Sequence, residues 1–271
     1  MDGAQLWQML ILAVVQGIAE FLPISSSGHL VIFGDLLDTA FGTVSSNTAK
    51  MQINVALHVG TLFSIVVVFW RELLSTLRRP KLLTAVILGT IPAGVIGVAF
   101  HDFFEAAFST PLISGLCLYV TATFLLLGQR LELNLIELDN IPAKHAVVIG
   151  FFQAVAILPG VSRSGSTIAG GLMTGLTRHA AATFSFLLAV PVIGGAALLE
   201  GRKLFRGHEA GYAPQVLAFG AFVAFVVGIF SLRLLIRVIS QRKLHWFAYY
   251  CIIIATCTTA WQLWLRMNRV G

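Results

Sequence analysis

Apolar residues fall along the chain in six long runs, at residues 52–70, 82–100, 111–128, 180–199, 215–239 and 246–265. An α-helix needs about 20 mostly apolar residues to cross the hydrocarbon core of a bilayer, so each run predicts a spanning helix. Two further segments, residues 5–37 and 145–177, behave differently. Each holds an apolar stretch, a break rich in Pro, Ser and Gly, and a second short apolar stretch, and neither arm spans comfortably alone. A helix, a polar turn and a returning helix is the simplest solution for each. Re-entrant backbone of that kind persists only where protein or a water-filled cavity surrounds it. Two ordinary spanning helices kinked at proline are the alternative.

The two breaks also resemble each other. Pro23-Ile24-Ser25-Ser26-Ser27-Gly28 matches Pro159-Gly160-Val161-Ser162-Arg163-Ser164-Gly165 in the order Pro, Ser, any residue, Ser, Gly, with one extra residue after the second proline. A duplicated half is the natural reading, and duplicated halves of membrane proteins often meet at a shared site near the bilayer midplane. The expected fold is therefore all-α: a polytopic integral membrane protein of six spanning helices plus two re-entrant helix pairs. It forms a single transmembrane domain over residues 1–271, with inverted-topology halves at about 1–128 and 145–271.

Composition agrees with this class. Hydrophobic residues make up 57% of the 271 residues and charged residues 11%, with mean hydropathy +0.87, which no ordinary water-soluble core accommodates. The formal net charge is +6, but the basic residues sit in short clusters between apolar runs, where they set topology and do not form a nucleic-acid surface. Nucleic acid is excluded as a partner, and membrane lipid is expected instead. With the Arg71–Lys81 loop on the cytoplasmic side, 11 Lys and Arg residues fall on that side and 6 on the other, which favours this orientation. Both termini and the first break then open outward, and the second break opens to the cytoplasm. The apolar start of the chain carries Asp2 and no early Lys or Arg, so it is expected to stay in the mature protein and not to act as a signal peptide. Cys117, Cys251 and Cys257 have no metal-ligand spacing and read as small buried hydrophobes.

The chemistry lies in the breaks, because ionisable groups at membrane depth are costly and invite a functional explanation. Gln16 and Glu20 are four apart and share one face of a helix. They could point at one ligand or at a divalent cation such as Mg2+ or Ca2+, which is often held by one or two carboxylates together with substrate phosphates. Alternatively, Glu20 caps the break. Ser25, Ser26 and Ser27 stand where a helix would begin, and a helix N-terminus both favours a serine cap and binds anions. A serine there is also a candidate nucleophile, with His29 near enough to take its proton. Arg163 lies between Ser162 and Ser164 and ahead of Gly165 and Thr167, in a turn rich in donors. Its planar guanidinium suits phosphate oxygens, or an ion pair with Glu20. Asn54, His58 and Thr61 read as packing residues of the first spanning helix, outside the site. A carboxylate, a Ser/His pair, an arginine and two helix N-termini inside a bilayer suit phosphoryl transfer on a lipid pyrophosphate.

At these residues the chain resembles the undecaprenyl-pyrophosphate phosphatase family, the bacitracin-resistance phosphatases. Gln16, Glu20 and the run PISSSGH through His29 match its first motif, and Pro159, Gly160, Ser162, Arg163, Ser164 and Thr167 match its second. The resemblance covers almost the whole chain. It implies hydrolysis of undecaprenyl pyrophosphate to undecaprenyl phosphate and inorganic phosphate, recycling the lipid carrier for peptidoglycan synthesis. It also implies a divalent cation and an outward-facing site in the bacterial inner membrane. By motif position, Glu20 and Arg163 bind cation and phosphates, while Ser26 or His29 attacks phosphorus, Ser26 activated by His29 being favoured. Gln16, Ser25, Ser27, Ser162, Ser164, Gly165 and Thr167 would line the substrate. Gln16 departs from the pattern in placing a neutral amide where a second carboxylate is often found.

Two rivals follow from the same residues. Lipid phosphatases of the acid-phosphatase type also contain a Ser-Gly-His run, but they need a Lys seven residues before an Arg-Pro pair and a His six residues after the Ser-Arg arginine. Glu72 and Ala169 occupy those positions here. A transporter or flippase of prenyl phosphate lipids is the other alternative, since inverted repeats with broken helices are a transporter architecture. Whether the protein acts as a monomer or a homodimer is left open by the sequence.

Overall fold

The structure is a computed structural model that describes residues 3–41, 46–108, 110–206 and 212–270. These residues form twelve α-helices: α1 Gly3–Ala19, α2 Ser26–Phe41, α3 Asn47–Val68, α4 Trp70–Leu77, α5 Pro80–Ala99, α6 His101–Phe108, α7 Pro111–Arg130, α8 Ala143–Val155, α9 Arg163–Met173, α10 Arg178–Arg206, α11 Pro214–Ser240 and α12 Leu244–Val270. Three of them, α5, α7 and α11, begin on proline, whose fixed φ and missing N–H suit the first helical turn.

The six apolar runs fall almost wholly within long helices, the first running on past α3 to the start of α4 and the second ending one residue beyond α5. Those in α3, α5, α7, α10 and α11 are apolar enough to cross a membrane by length and composition. The sixth, α12, is 27 residues long but carries His245, Tyr249, Tyr250 and several threonines, which lower its hydropathy. The chain is thus an all-α, multi-pass membrane protein. Its outer wall is apolar: Val98 is 72% exposed, Leu198 71% and Phe230 67%, as expected where the neighbour is lipid. Its interior is studded with polar groups, including Gln16, Glu20, Ser26, His29, Ser162, Ser164, Thr167 and Ser185, all buried.

Both segments expected to break do so. The first runs α1, a turn, and α2, helices of 17 and 16 residues, and the second runs α8, a turn, and α9, of 13 and 11. At about 1.5 Å per residue none reaches the roughly 30 Å of a bilayer core. α1 packs on α2 and on α11; α8 packs on α9 and on α5; α9 also packs on α7 and α10. The connector after α7 is pinned to the turn that follows α9. Leu135 and Ile136 N–H both donate to Gly175 O at 2.9 Å, and Thr177 N–H donates to Ile136 O at 2.9 Å. Arg178 pairs with Glu132 beside it. The far end of the second broken pair is therefore fixed, which steadies α9.

The Arg71–Lys81 connection carries a short helix, α4, in which the Ser75 and Thr76 hydroxyls donate to Glu72 O at 2.9 and 2.7 Å. One expectation needs correction. Of the cysteines, Cys251 is buried and Cys117 half-buried, but Cys257 is exposed. A small hydrophobe facing a bilayer loses nothing by exposure.

Candidate active site

The two breaks fold into matching turns. In the first, Ser25 Oγ accepts from Gly28 N–H at 3.2 Å and lies 3.3 Å from Ser27 Oγ. In the second, Ser162 Oγ accepts from Gly165 N–H at 3.1 Å and lies 3.2 Å from Ser164 Oγ. Each serine caps the helix that follows by bonding an N–H three residues on. Consequently Ser26 and Arg163 are both the first helical residue after a cap. The backbones differ at one point, since Ser25 has φ 70° and Ser162 φ −74°. Non-glycine residues rarely take up that left-handed conformation, which costs backbone strain that the surrounding turn must hold.

The turns touch. A Cβ on Gly28 would lie 2.8 Å from Gly160 Cα, so only glycine permits the approach of the two chains there. Ser164 Oγ donates to Leu22 O at 3.4 Å across the same junction. Thr121 on α7 holds the second turn from behind, donating to Gly160 O and accepting from Ser162 N–H, both at 2.8 Å.

Glu20 occupies the centre. Arg163 Nη2 donates to its Oε1 at 2.8 Å, while Ser26 Oγ donates to its Oε2 at 2.6 Å and Gln16 Nε2 at 3.1 Å. The Glu20 side chain is only 5% exposed and that of Arg163 13%, so the ion pair is shielded from water and removing either partner strands a buried charge. Arg163 Nη1 also donates to Ser185 O on α10 at 3.3 Å, which fixes the guanidinium plane. Thr167 bonds Ser185 Oγ at 2.6 Å and donates to Arg163 O at 2.8 Å, so it supports the arginine.

His29 sits elsewhere than expected. Its Nδ1 lies 2.8 Å from Ser25 O and its Nε2 2.8 Å from the Tyr250 hydroxyl. A carbonyl only accepts, so Nδ1 carries the proton and the neutral ring accepts from Tyr250 at Nε2. The rings of His29 and Tyr250 also stack, with centroids 5.6 Å apart. Both imidazole nitrogens are thus engaged, and Ser26 is turned away, toward Glu20. The expected pairing of Ser26 with His29 is replaced by one of Ser26 with Glu20. The physical reason is local: the carboxylate at the end of α1 is a stronger acceptor than a ring nitrogen already bonded to a phenol.

The sequence-expected residues Gln16, Glu20, Ser25, Ser26, Ser27, His29, Ser162, Arg163, Ser164, Gly165 and Thr167 all lie in or beside these two turns. Four further residues belong with them. Thr121, Ser185 and Tyr250 come from apolar spans where nothing in the sequence marks them. His58, read from the sequence as a packing residue, is the correction that matters: its Nε2 is 3.6 Å from Glu20 Oε2. An ionisable side chain inside a span was a usable signal.

A divalent cation can be tested against the oxygen atoms present. No cluster of three or more His, Cys, Asp or Glu residues arranged for a metal occurs among the described residues. Gln16 Oε1, however, is buried without a hydrogen-bond partner beside the Glu20 carboxylate. One amide oxygen and one carboxylate fit a hard cation that takes its remaining ligands from substrate phosphates and water.

Comparison with known proteins places this geometry. The family model for bacitracin resistance protein BacA matches residues 9–257, which include both turns. A protein of Rhodopirellula baltica named undecaprenyl-diphosphatase is 45% identical over 250 residues, covering 92% of this chain and 95% of the relative. Proteins of the same name from Thermodesulfovibrio yellowstonii and Bacteroides fragilis are 41% and 38% identical, covering 91% and 93% of this chain and 93% and 96% of theirs. With both broken helix pairs inside the matched region, the chain belongs to the BacA bacitracin-resistance family.

Proposed function

We propose that the protein hydrolyses undecaprenyl diphosphate to undecaprenyl phosphate and inorganic phosphate, and so recycles the lipid carrier used in peptidoglycan synthesis and confers bacitracin resistance. The observation that carries this reading is the Ser26 hydroxyl, which donates at 2.6 Å to a buried carboxylate that Arg163 grips from the opposite turn. Relatives spanning nearly the whole chain bear the name undecaprenyl-diphosphatase.

The terminal phosphate of the substrate sits at the N-termini of α2 and α9, where unpaired N–H groups and Arg163 offset its charge. Ser26 Oγ attacks that phosphorus. The O–P bond forms, the bond to the bridging oxygen breaks, and Glu20 takes the hydroxyl proton. The lipid phosphate departs with the bonding electron pair. The proton on Glu20 passes to the departing lipid phosphate, so that Glu20 can take one from the water that attacks the phosphoserine and return it to the Ser26 oxygen as inorganic phosphate leaves. His29, held by Tyr250 and the Ser25 carbonyl, stands beside the first turn and orders it. Gln16 Oε1 and Glu20 would hold a divalent cation such as Mg2+ or Ca2+, which when bound neutralises phosphate charge. The polyprenyl tail remains against the apolar outer wall.

We place the protein in the bacterial inner membrane with the site open to the outside, on the distribution of Lys and Arg between loops. The inverted-repeat reading is supported by reciprocal packing: α1 of the first half lies on α11 of the second, and α8 of the second lies on α5 of the first. Phosphate release from undecaprenyl diphosphate by the purified protein in detergent, with and without a chelator, tests the proposal. A wild-type protein releasing no more phosphate than Ser26→Ala under every cation condition would sink it.

A further inference from the structure

An apolar groove of about 380 Å3 runs between α4, α5 and α10, and none of its lining residues belongs to the two turns. Leu73 and Leu77 of α4, Ile87 and Ile91 of α5, and Val190 and Pro191 of α10 form much of its surface. Two further lining residues are threonines, yet their hydroxyls are spent within their own helices. Thr76 Oγ1 donates to Glu72 O at 2.7 Å and Thr90 Oγ1 to Val86 O at 2.8 Å, so neither offers the groove a free polar group. Leu77, Ile87 and Ile91 are exposed, which leaves the groove open toward lipid.

One end of the groove is basic. On α4, Trp70, Leu73, Leu74 and Leu77 fall on one face and Arg71, Ser75 and Arg78 on the other, the pattern of a helix lying in a membrane surface. Arg78 follows directly on Leu77, and Lys81 stands two residues before Leu83, another lining residue. Four residues between 71 and 81 are basic and one, Glu72, is acidic. Arg71 lies over the Trp70 ring, 5.2 Å from its centroid, and Arg79 is taken up by Asp139 at 2.8 Å. Among the described residues, Arg78 and Lys81 have no acidic partner.

We propose that the groove holds one acyl chain of an anionic phospholipid, whose phosphate is bound by Arg78 and Lys81.

Charge and length both point to this occupant. Long basic side chains at such a boundary lay their stems on apolar surface and keep the charge at headgroup level, where a phosphodiester supplies the missing counter-charge. A zwitterionic headgroup brings a cation of its own to the same place. From Lys81 to Ile91, α5 advances about 15 Å, half of the roughly 30 Å hydrocarbon core. The groove therefore reaches from the charged end to near the midplane, the depth of a single leaflet. A phospholipid chain matches that depth, whereas an undecaprenyl chain overruns it. A chain seated there also packs on α10, the helix whose Ser185 O receives Arg163 Nη1.

This site is independent of the phosphatase reading, and its test needs no turnover. The purified protein in detergent is titrated with dioleoyl phosphatidylglycerol and, in parallel, with dioleoyl phosphatidylcholine, which has the same chains. Retained lipid is counted by native mass spectrometry, and thermal unfolding without added lipid shows that each variant is folded. Each Lys or Arg near an anionic headgroup contributes about fivefold, so wild type retains phosphatidylglycerol in preference by roughly 30-fold. Arg78→Gln lowers the preference to about fivefold, and Arg78→Gln combined with Lys81→Gln abolishes it. Ile87→Trp fills the groove from an exposed position and removes the selectively retained phosphatidylglycerol while both cations stay in place. Equal retention of the two lipids by wild type overturns the proposal, as does an undiminished preference in the double variant or in Ile87→Trp. Displacement of bound phosphatidylglycerol by the uncharged alcohol undecaprenol assigns the groove to a prenyl tail and overturns it as well.

Discussion

Ser26 and Arg163 hold equivalent positions in two matching turns, and their side chains meet on opposite oxygens of one carboxylate, Glu20, at 2.6 and 2.8 Å. The two matching turns thus divide the labour. One copy of the turn presents a hydroxyl to the shared acid and the other a fixed positive charge, while the caps behind them stay the same.

Ser26→Ala and Glu20→Gln are expected to fail in distinguishable ways. Ser26→Ala removes the attacking oxygen but leaves Arg163, Glu20 and both helix N-termini, so phosphate release falls at least about 1,000-fold while lipid binding persists. Glu20→Gln keeps a hydrogen-bond acceptor for Ser26 but cannot take its proton, and it leaves Arg163 buried without a counter-charge. It therefore loses both turnover and stability. Equilibrium binding of undecaprenyl diphosphate, beside single-turnover rates, separates the cases.

Arg163→Lys is not expected to be conservative. The guanidinium reaches Glu20 Oε1 and Ser185 O together, through Nη2 and Nη1. A single ammonium cannot span both with planar geometry. Catalysis should drop by two orders of magnitude or so, a transition-state loss of about 2.7 kcal/mol. Arg163→Ala should in addition destabilise the protein by roughly 3–5 kcal/mol, because it strands a buried carboxylate. Thermal unfolding in detergent checks the second figure, and near-wild-type turnover in Arg163→Lys contradicts the first.

Tyr250→Phe removes one hydroxyl from α12 and should be felt in the first turn. His29 Nε2 loses its donor and stays buried, at a cost of about 1–3 kcal/mol. The ring stacking survives, so the imidazole is loosened and not displaced. A moderate fall in kcat with KM little changed is expected. Wild-type stability together with wild-type kcat would show that the phenol is idle.

Gly160→Ala should abolish folding, whereas Gly94→Ala should be tolerated. Gly160 has φ +97°, and a Cβ there would lie 2.1 Å from Ser114 O. A Cβ on Gly94 meets nothing within 4 Å. Yields of monodisperse protein after detergent extraction give the comparison; equal yields for the two variants would remove the steric account of the close approach of Gly160 to α7.

What could be read in advance was whatever has a local signature. Six apolar runs became the bodies of long helices, though α10 continues past 199 to Arg206 and α3 begins before 52 at Asn47, because hydropathy marks the apolar body of a helix and not its ends. The paired Pro and Ser order of the two breaks fixed their matching register, since capping is a short-range event. Side-chain direction was not legible. Ser26 and His29 are three apart on one helix and look like natural partners, yet the hydroxyl turns back to Glu20. That choice depends on where α1 ends. Tyr250 stands 221 residues from His29 and meets it only because α12 packs on α7, beside α2. His58 carried a visible signal, an ionisable group in a span, and an everyday packing role was the wrong reading of it.

The contact between Gly28 and Gly160 has a consequence for how such a chain can diverge. A side chain at Gly28 would run into the Gly160 backbone, and one at Gly160 would run into Ser114 O on α7, so in both cases the obstacle is backbone that no smaller side chain can clear. This seam is a fixed point on either side of which the two turns present different side chains to Glu20, a serine from one and an arginine from the other.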